Sequence, residues 1–398
     1  MPKQIVNRSS RGFICVNAHP EGCARNVEQW VAGVRSRMRA AGRPLRNVLI
    51  VGASTGYGLA SRVVAGFGYG AKTLGVFFER PPDGDKTATA GYYNTAAFHR
   101  LANAEGIFAA SLNADAFSDE AKLAAMDLVR TWMGPLDLVI YSLASPKRTH
   151  PETGVVHNSV LKPVGKAFSS KTVELDSEKV VQVTLQPASK QEIADTVAVM
   201  GGDDWRRWIV ALLEENLLAE GAQCLAYSYI GPEVTWPIYH DGTIGRAKKD
   251  LEIKARELDG LLRARHGGTA RISVNKAVVT QASSAIPVVP LYLSLLPPEL
   301  KKRGLEEGPL EQMERLFADY VVAEKPAAPD DAGRIRLDDR ELRPDVQEGI
   351  QATWPQVETE NLRVLTDFAG FQRDFRGLFG FEVDGVDYEQ PVETDLTW

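Results

Sequence analysis

Short apolar runs alternate along this chain with stretches whose apolar residues recur at helical spacing, and that alternation restricts the fold more than any other feature. The runs are 47–52 (NVLIVG), 73–79 (TLGVFFE), 107–113 (IFAASLN), 137–143 (DLVIYSL), 222–229 (AQCLAYSY) and 271–275 (RISVN). Helical spacing covers 57–68, 92–104, 118–132, 203–219 and 247–264. Runs this apolar suit strands buried on both faces, and helices between them supply the crossovers that parallel pairing requires. The expected class is therefore α/β, a doubly wound parallel sheet.

Other segments depart from this rhythm and set the expected domain organisation. Residues 1–45 are expected to form an extension packed on a core that spans 46–283. Within that core, 151–190 (with KTVELDSEKVVQVTLQP) is polar and β-branched and predicts an inserted hairpin or flap. Residues 284–330 begin Pro-punctuated and apolar (AIPVVPLYLSLLPPEL) and predict helices covering the ligand edge of the sheet. The connection AEKPAAPDDAG, 323–333, leads into a small α+β appendage expected over 331–398.

At 398 residues and 44% apolar, the chain can bury a large core. A net charge of −6 gives no broad attraction to nucleic acid or anionic lipid, so an anionic ligand needs a local site. Cys15, Cys23 and Cys224 are too few for a disulfide framework and suit a reducing compartment. Polar residues break the first thirty positions, and no run reaches membrane-spanning length. A cytoplasmic enzyme without a metal is the expectation.

In NVLIVGASTGYGLASRVVAGFG, Gly52, Gly56 and Gly58 fall between the first strand and the first core helix. Glycines there allow a sharp turn and close approach of a pyrophosphate to free N–H groups at a helix N-terminus. The same letters fit a nucleophile elbow with Ser54 as nucleophile, which would require a downstream acid and histidine. They also fit a merely structural turn. Glu79 ends the second strand where an acidic side chain accepts from the adenosine ribose hydroxyls, favouring NADH over NADPH. Arg80 beside it could instead receive a 2′-phosphate, and Glu79 could be only a solvated strand end. Asp115 is placed to meet the adenine amino group or to cap the helix starting near Ser118. Ser142, Leu143 and Ala144, in YSLAS, follow the fourth strand where backbone passes the nicotinamide ribose.

Tyr239 and Lys248 stand nine positions apart. In one regular helix they would be separated by roughly 13 Å and face opposite ways. Pro237, Gly242 and Gly245 instead predict a loop around Tyr239, with Thr243 as N-cap of the following helix. A folded-back loop could bring the phenol beside the first helical turn. There a phenol donates a hydrogen bond to a developing enolate, and an ammonium lowers the phenol pKa and binds ribose hydroxyls. A surface tyrosine and a solvated lysine are the competing reading. Tyr229, at a strand carboxyl end, either flanks the same carbonyl or is a half-buried wall.

RGFICVNAHPEGC, VGASTGYGLA, FFER, LNADAFS, YSLASP, SYIGPEVTWPIYHDGTIGRAKKDLE and VNKAVVTQASSAIPVVPLYLSLL together resemble the FabV-type trans-2-enoyl-[acyl-carrier-protein] reductases and their trans-2-enoyl-CoA reductase relatives. The resemblance extends to LTDFAGFQRDFRGLFGF near the carboxyl end. It implies an enlarged Rossmann fold of the short-chain dehydrogenase type and NADH-dependent reduction of the C2–C3 bond of enoyl thioesters on acyl carrier protein or coenzyme A. That reaction closes the type II fatty-acid elongation cycle. The resemblance makes Tyr239 and Lys248 the active-site pair and Tyr229 the second tyrosine. It puts Lys249 beside the cofactor and Thr280 at the nicotinamide end. Tyr57 and Glu79 fall on the adenosine side, while Asp115, Ala116, Ser142, Leu143 and Ala144 contact base and ribose. It further implies a monomer. A carboxyl-terminal flavin region is also implied, although no second dinucleotide turn is visible there. The alternatives are a carbonyl reductase, which would hold its tyrosine and lysine one helical turn apart, and a Ser54 hydrolase. Docking of an acidic carrier would need a basic patch, with Lys301, Lys302 and Arg303 as candidates.

Overall fold

The structure, a computed structural model, describes residues 3–12, 14–37, 41–284 and 286–398. Seven parallel strands form the central sheet: β1 (Asn47–Val51), β2 (Lys72–Phe77), β3 (Ala109–Asn113), β4 (Leu136–Tyr141), β5 (Leu218–Ser228), β6 (Thr269–Val274) and β7 (Ile335–Arg336). Their spatial order is β7-β6-β5-β4-β1-β2-β3. The order reverses between β1 and β4, so the carboxyl ends of these two strands open a crevice where ligands bind in such sheets. The doubly wound parallel sheet expected from the apolar runs is thus present.

Side chains alternate across each strand. Val48, Ile50, Leu138 and Ile140 face helices α1 (Pro20–Arg37), α2 (Gly56–Val63) and α3 (Ala90–Ala104). Leu49, Val51, Leu74, Val76 and Val139 face α4 (Asp119–Leu128), α6 (Asp203–Glu214) and α7 (Thr243–His266). With both faces covered, β1 is buried along its whole length.

Between β4 and α6 lie two antiparallel hairpins, 147–149 with 156–158 and 168–174 with 179–185, and then α5 (Lys190–Met200). Apolar spacing alone passes over α5, but a capping box marks its start. Ser189 Oγ accepts from Glu192 N at 3.1 Å, and Glu192 Oε2 accepts from Ser189 N at 2.8 Å. Helix α6 stops short of the expected residue 219 because Asn216 takes a left-handed φ of 54°, and β5 begins two residues later.

A third apolar cluster covers the carboxyl ends of the central strands. It joins Val173 and Leu175 of the longer hairpin region to α8 (Val289–Lys301) and to phenylalanines of α11 (Phe368–Gly377). Helix α9 (Pro309–Leu316) lies between, packed on α2, and α10 (Pro344–Thr353) packs on α8. The two-residue strand of the carboxyl-terminal segment adds to the edge of the main sheet through Ser273 and Val274.

Candidate functional site

The glycine turn after β1 is shaped by contact. Gly52 has a φ of +89°, and a β-carbon there would lie 2.5 Å from the Ser142 carbonyl oxygen, so the turn presses on the Ser142–Leu143 backbone that follows β4. At Gly58 a β-carbon would fall 1.8 Å from the Gly52 oxygen, which seats the first turn of α2 directly on the loop. Around Gly56 the space is open, with Thr280 Cγ2 at 3.9 Å its nearest contact, and Thr55 makes no side-chain cap. The first N–H groups of α2 are therefore left without the usual side-chain acceptor beside a glycine cradle, which fits a pyrophosphate.

Ser54 is not an elbow nucleophile. Its φ is not in the left-handed region, and its hydroxyl donates to Glu79 Oε1 at 2.6 Å. Asn113 holds Glu79 in place by bonding both its N–H and its carbonyl at 2.8 Å. The Arg80 guanidinium donates to the carbonyls of Val16, at 3.1 Å, and Thr87, at 3.3 Å. It is thereby engaged by the amino-terminal segment and by the loop before α3, leaving the carboxylate to set the charge at this strand end.

Asp115 is exposed and closes a turn by accepting from Phe117 N at 3.0 Å. The cap of α4 is Ser118, not Asp115. The Ala116 carbonyl is held from below by Lys122 Nζ and Trp208 Nε1, each at 3.1 Å. Tyr57 lies on the first turn of α2. Its hydroxyl donates to the Lys276 carbonyl at 2.7 Å and its ring packs on Tyr227, toward β5 and β6 and across β1 from the strand carrying Glu79.

The loop reading of Tyr239 holds. Tyr239 N bonds the Thr235 carbonyl at 3.0 Å, and α7 starts at Thr243. A β-carbon on Gly245 would lie 1.9 Å from the His240 oxygen and 2.5 Å from the Tyr239 oxygen, and one on Gly242 would lie 2.3 Å from the Ile238 oxygen. Both glycines between tyrosine and lysine thus permit the loop to fold back onto the helix. Thr243 is the first helical residue rather than the cap, which is Gly242. The Thr243 hydroxyl instead bonds the Val160 carbonyl, tying α7 to the inserted segment.

Tyr239 and Tyr229 meet edge to face, with centroids 4.9 Å apart and planes at 83°. Lys248, half-buried, has a long contact of 3.5 Å to the Tyr227 carbonyl, and desolvation pulls its pKa down to about 8. The Tyr239 pKa is not lowered as expected from a neighbouring ammonium. Burial, reinforced by the charge of Glu341, pushes it up. Lys249 is exposed on the next position.

Sequence reasoning missed Glu341, Tyr292 and Lys276. Tyr229 Oη and Tyr292 Oη both donate to Glu341 Oε1, at 2.8 and 2.7 Å, while Ala277 N donates to Oε2 at 2.7 Å. Glu341 is fully buried, and burial raises its pKa against the opposing effect of these donors and of Lys276. No spacing links 229, 277, 292 and 341, and only the fold brings them together.

A cavity of about 910 Å³ opens beside the glycine turn. It is bordered by Gly56, Glu79, Lys276, Thr280 and α8 residues Leu293 and Leu296, whereas Tyr229, Tyr239 and Lys248 do not line it. The Lys301–Arg303 patch is largely neutralised. Arg303 bonds Glu299 at 2.7 Å and Asp345 at 2.9 Å, and Lys302 bonds Glu299 at 2.5 Å.

Residues 86–322 match the family described as the trans-2-enoyl-CoA reductase catalytic region, and 5–84 match its NAD(P)H binding domain. Residues 329–392 match an enoyl reductase FAD binding domain. That segment does not fit a flavin dinucleotide: its strand, β7, is not followed by a glycine turn and helix, and Phe368, Phe371, Phe375 and Phe379 are buried in the core. Curated relatives include the enoyl-[acyl-carrier-protein] reductases [NADH] of Coxiella burnetii and Opitutus terrae. Each is 54% identical over 98% of this chain, covering 96% and 99% of the relative. The Treponema denticola trans-2-enoyl-CoA reductase in complex with NAD superposes with a TM-score of 0.95 at 45% identity, covering 99% of this chain and 100% of that one. The Clostridium acetobutulicum trans-2-enoyl-CoA reductase in complex with NADH gives 0.95 at 38% identity, covering 99% and 98%. This chain belongs to the trans-2-enoyl-CoA reductase family.

Proposed function

We propose that the protein uses NADH to reduce the C2–C3 double bond of trans-2-enoyl thioesters, carried on acyl carrier protein or coenzyme A, in the last step of fatty-acid elongation. The observation that carries this reading is the placement of a half-buried, protonated phenol, Tyr239, against a second tyrosine by a loop folded onto the helix that bears Lys248.

Residues of the glycine turn, Gly52, Ser54, Gly56 and Gly58, with Glu79, Asp115, Ala116 and the 142–144 backbone, would hold the dinucleotide, and Lys248, Lys249 and Thr280 its nicotinamide half. Bound there, NADH supplies the hydride that C3 of the substrate receives. As charge develops on the thioester carbonyl oxygen, Tyr239 donates a hydrogen bond to it. Its raised pKa keeps it a donor at neutral pH. Tyr229 backs the Tyr239 ring, and Lys248, on the helix that follows the Tyr239 loop, is charged below a pKa of about 8 and would bring positive charge to the nicotinamide half of the site. Protonation at C2 completes the saturated thioester. Residues 284–316 would cover the acyl chain, a reading supported by the leucines that α8 presents to the cavity beside Thr280.

The test is oxidation of NADH and of NADPH with an enoyl-CoA and an enoyl-carrier protein, on wild type and Tyr239→Phe. Turnover with NADH that collapses in the variant is expected. Absence of turnover with every pairing would refute the reading.

A further inference from the structure

In the carboxyl-terminal segment, the Glu341 side chain bonds Tyr229 and Tyr292 directly. We infer that Glu341 is a positioning residue: its carboxylate fixes Tyr229, and through the edge-to-face contact Tyr239, in the orientation that meets the thioester carbonyl. This rests on the enoyl-reduction reading above.

A buried carboxylate is strongly disfavoured unless its lone pairs are filled, and here three donors fill them, two phenols on Oε1 and the Ala277 amide on Oε2. Those donors come from the ends of β5 and β6 and from α8, so one residue ties three elements around the tyrosines. A phenol anchored at its hydroxyl is held at both ends of its long axis and cannot swing about χ1, and the Tyr229 ring is the surface on which Tyr239 rests. The remaining polar groups serve the same arrangement. Gln347 Nε2 donates to the Glu341 backbone carbonyl at 2.6 Å and to Tyr292 Oη at 3.2 Å, and Lys276 contributes its charge without an ion-pair contact. A core built for stability alone could fill this space with apolar side chains, since buried charge is weak evidence of stabilisation.

The experiment compares Glu341→Ala and Glu341→Gln with wild type in steady-state turnover of an enoyl-CoA and in NADH binding by fluorescence. It repeats Glu341→Ala in a Tyr229→Phe background and adds a crystal structure of Glu341→Gln and of Glu341→Ala. Expected is a fall in kcat of about tenfold or more for alanine and a smaller one for glutamine, which keeps an acceptor for the phenols. NADH affinity should stay within about twofold, and adding Glu341→Ala to Tyr229→Phe should cost little more, because both act on one contact. Unchanged kcat, losses that add to those of Tyr229→Phe, or loss of NADH binding in step with turnover would each overturn the inference. So would failure of both variants to fold, which would make the carboxylate purely structural. If wild type itself turns over no enoyl thioester, the enoyl-reduction reading falls. The crystal structures then decide positioning alone, with retention of the 4.9 Å Tyr229–Tyr239 contact in Glu341→Ala counting against it.

Discussion

The backbone oxygen of Tyr239 lies where it would be 2.5 Å from a β-carbon on Gly245, so the site tyrosine is held against the first turn of α7 by the absence of a side chain. Eight residues separate Tyr239 from Lys248, and the loop doubles back within that span. The long spacing is thus compatible with a shared site because the chain between the two residues is not helical until Thr243.

Gly245→Ala should displace the Tyr239–His240 backbone. The expected result is a loss of about 1–3 kcal/mol in urea unfolding, as for overpacking, with kcat reduced about tenfold or more and NADH affinity little changed. Gly260→Ala is the control on the same helix. It is exposed, with nothing within 4 Å of an added β-carbon, and should stabilise the protein by about 0.5–1 kcal/mol without altering kcat.

Glu79 governs the choice between nicotinamide cofactors if its carboxylate meets the adenosine ribose. Glu79→Ala removes the charge that would repel a 2′-phosphate and frees Ser54 Oγ from its 2.6 Å bond. NADPH kcat/KM should rise by about tenfold, equivalent to about 1.4 kcal/mol, while the value for NADH falls. Initial rates with both cofactors measure it, and an unchanged ratio would remove Glu79 from the specificity determinants.

Lys248 sets an expected pH dependence. Desolvation lowers its pKa from 10.5 to about 8, so the folded protein releases this proton before the unfolded chain does. The unfolded state then binds more protons between about 8 and 10.5, and the lysine's contribution to stability rises with pH across that window; below it the penalty of burying the charge is fully present. Activity should run the other way. If the ammonium assists the carbonyl, kcat/KM falls as pH rises through about 8, and Lys248→Arg moves that limb to higher pH. A profile whose limb is unmoved in the arginine variant would assign it to another group.

How far the sequence could be read depended on whether the signal was local. The glycine turn, the strand ends carrying Glu79 and Ser142, and the loop character of Tyr239 are local properties of turn chemistry and apolar pattern, and they were legible. Helix α5 carried a readable capping box at Ser189 and Glu192, but a weak apolar stripe hid it beside a polar hairpin. The Glu341 cluster left no such trace: its members come from four segments with no shared period, and a glutamate inside DDRELRP reads as solvated until the fold buries it. The rotamer of Tyr57 was not legible either, because packing against Tyr227 directs it.

Lys122 and Asp204 form a buried pair at 2.8 Å beneath the Asp115–Ser118 loop, with side chains 5% and 1% exposed. Lys122 also donates to the carbonyls of Ala116 and Phe117, and Tyr141 Oη donates to the second Asp204 oxygen at 3.0 Å. Asp204→Ala would leave an ammonium buried without its counter-charge, at a cost of about 3–5 kcal/mol in chemical unfolding. The loop carbonyls held by Lys122 border the region proposed for the adenine, so weaker NADH binding should accompany the loss while kcat at saturating cofactor changes less. Asp204→Asn keeps acceptors for Lys122 but not for its charge, and it should fall between wild type and alanine in both stability and NADH affinity. Equal NADH affinity in all three proteins would confine the pair to a structural role.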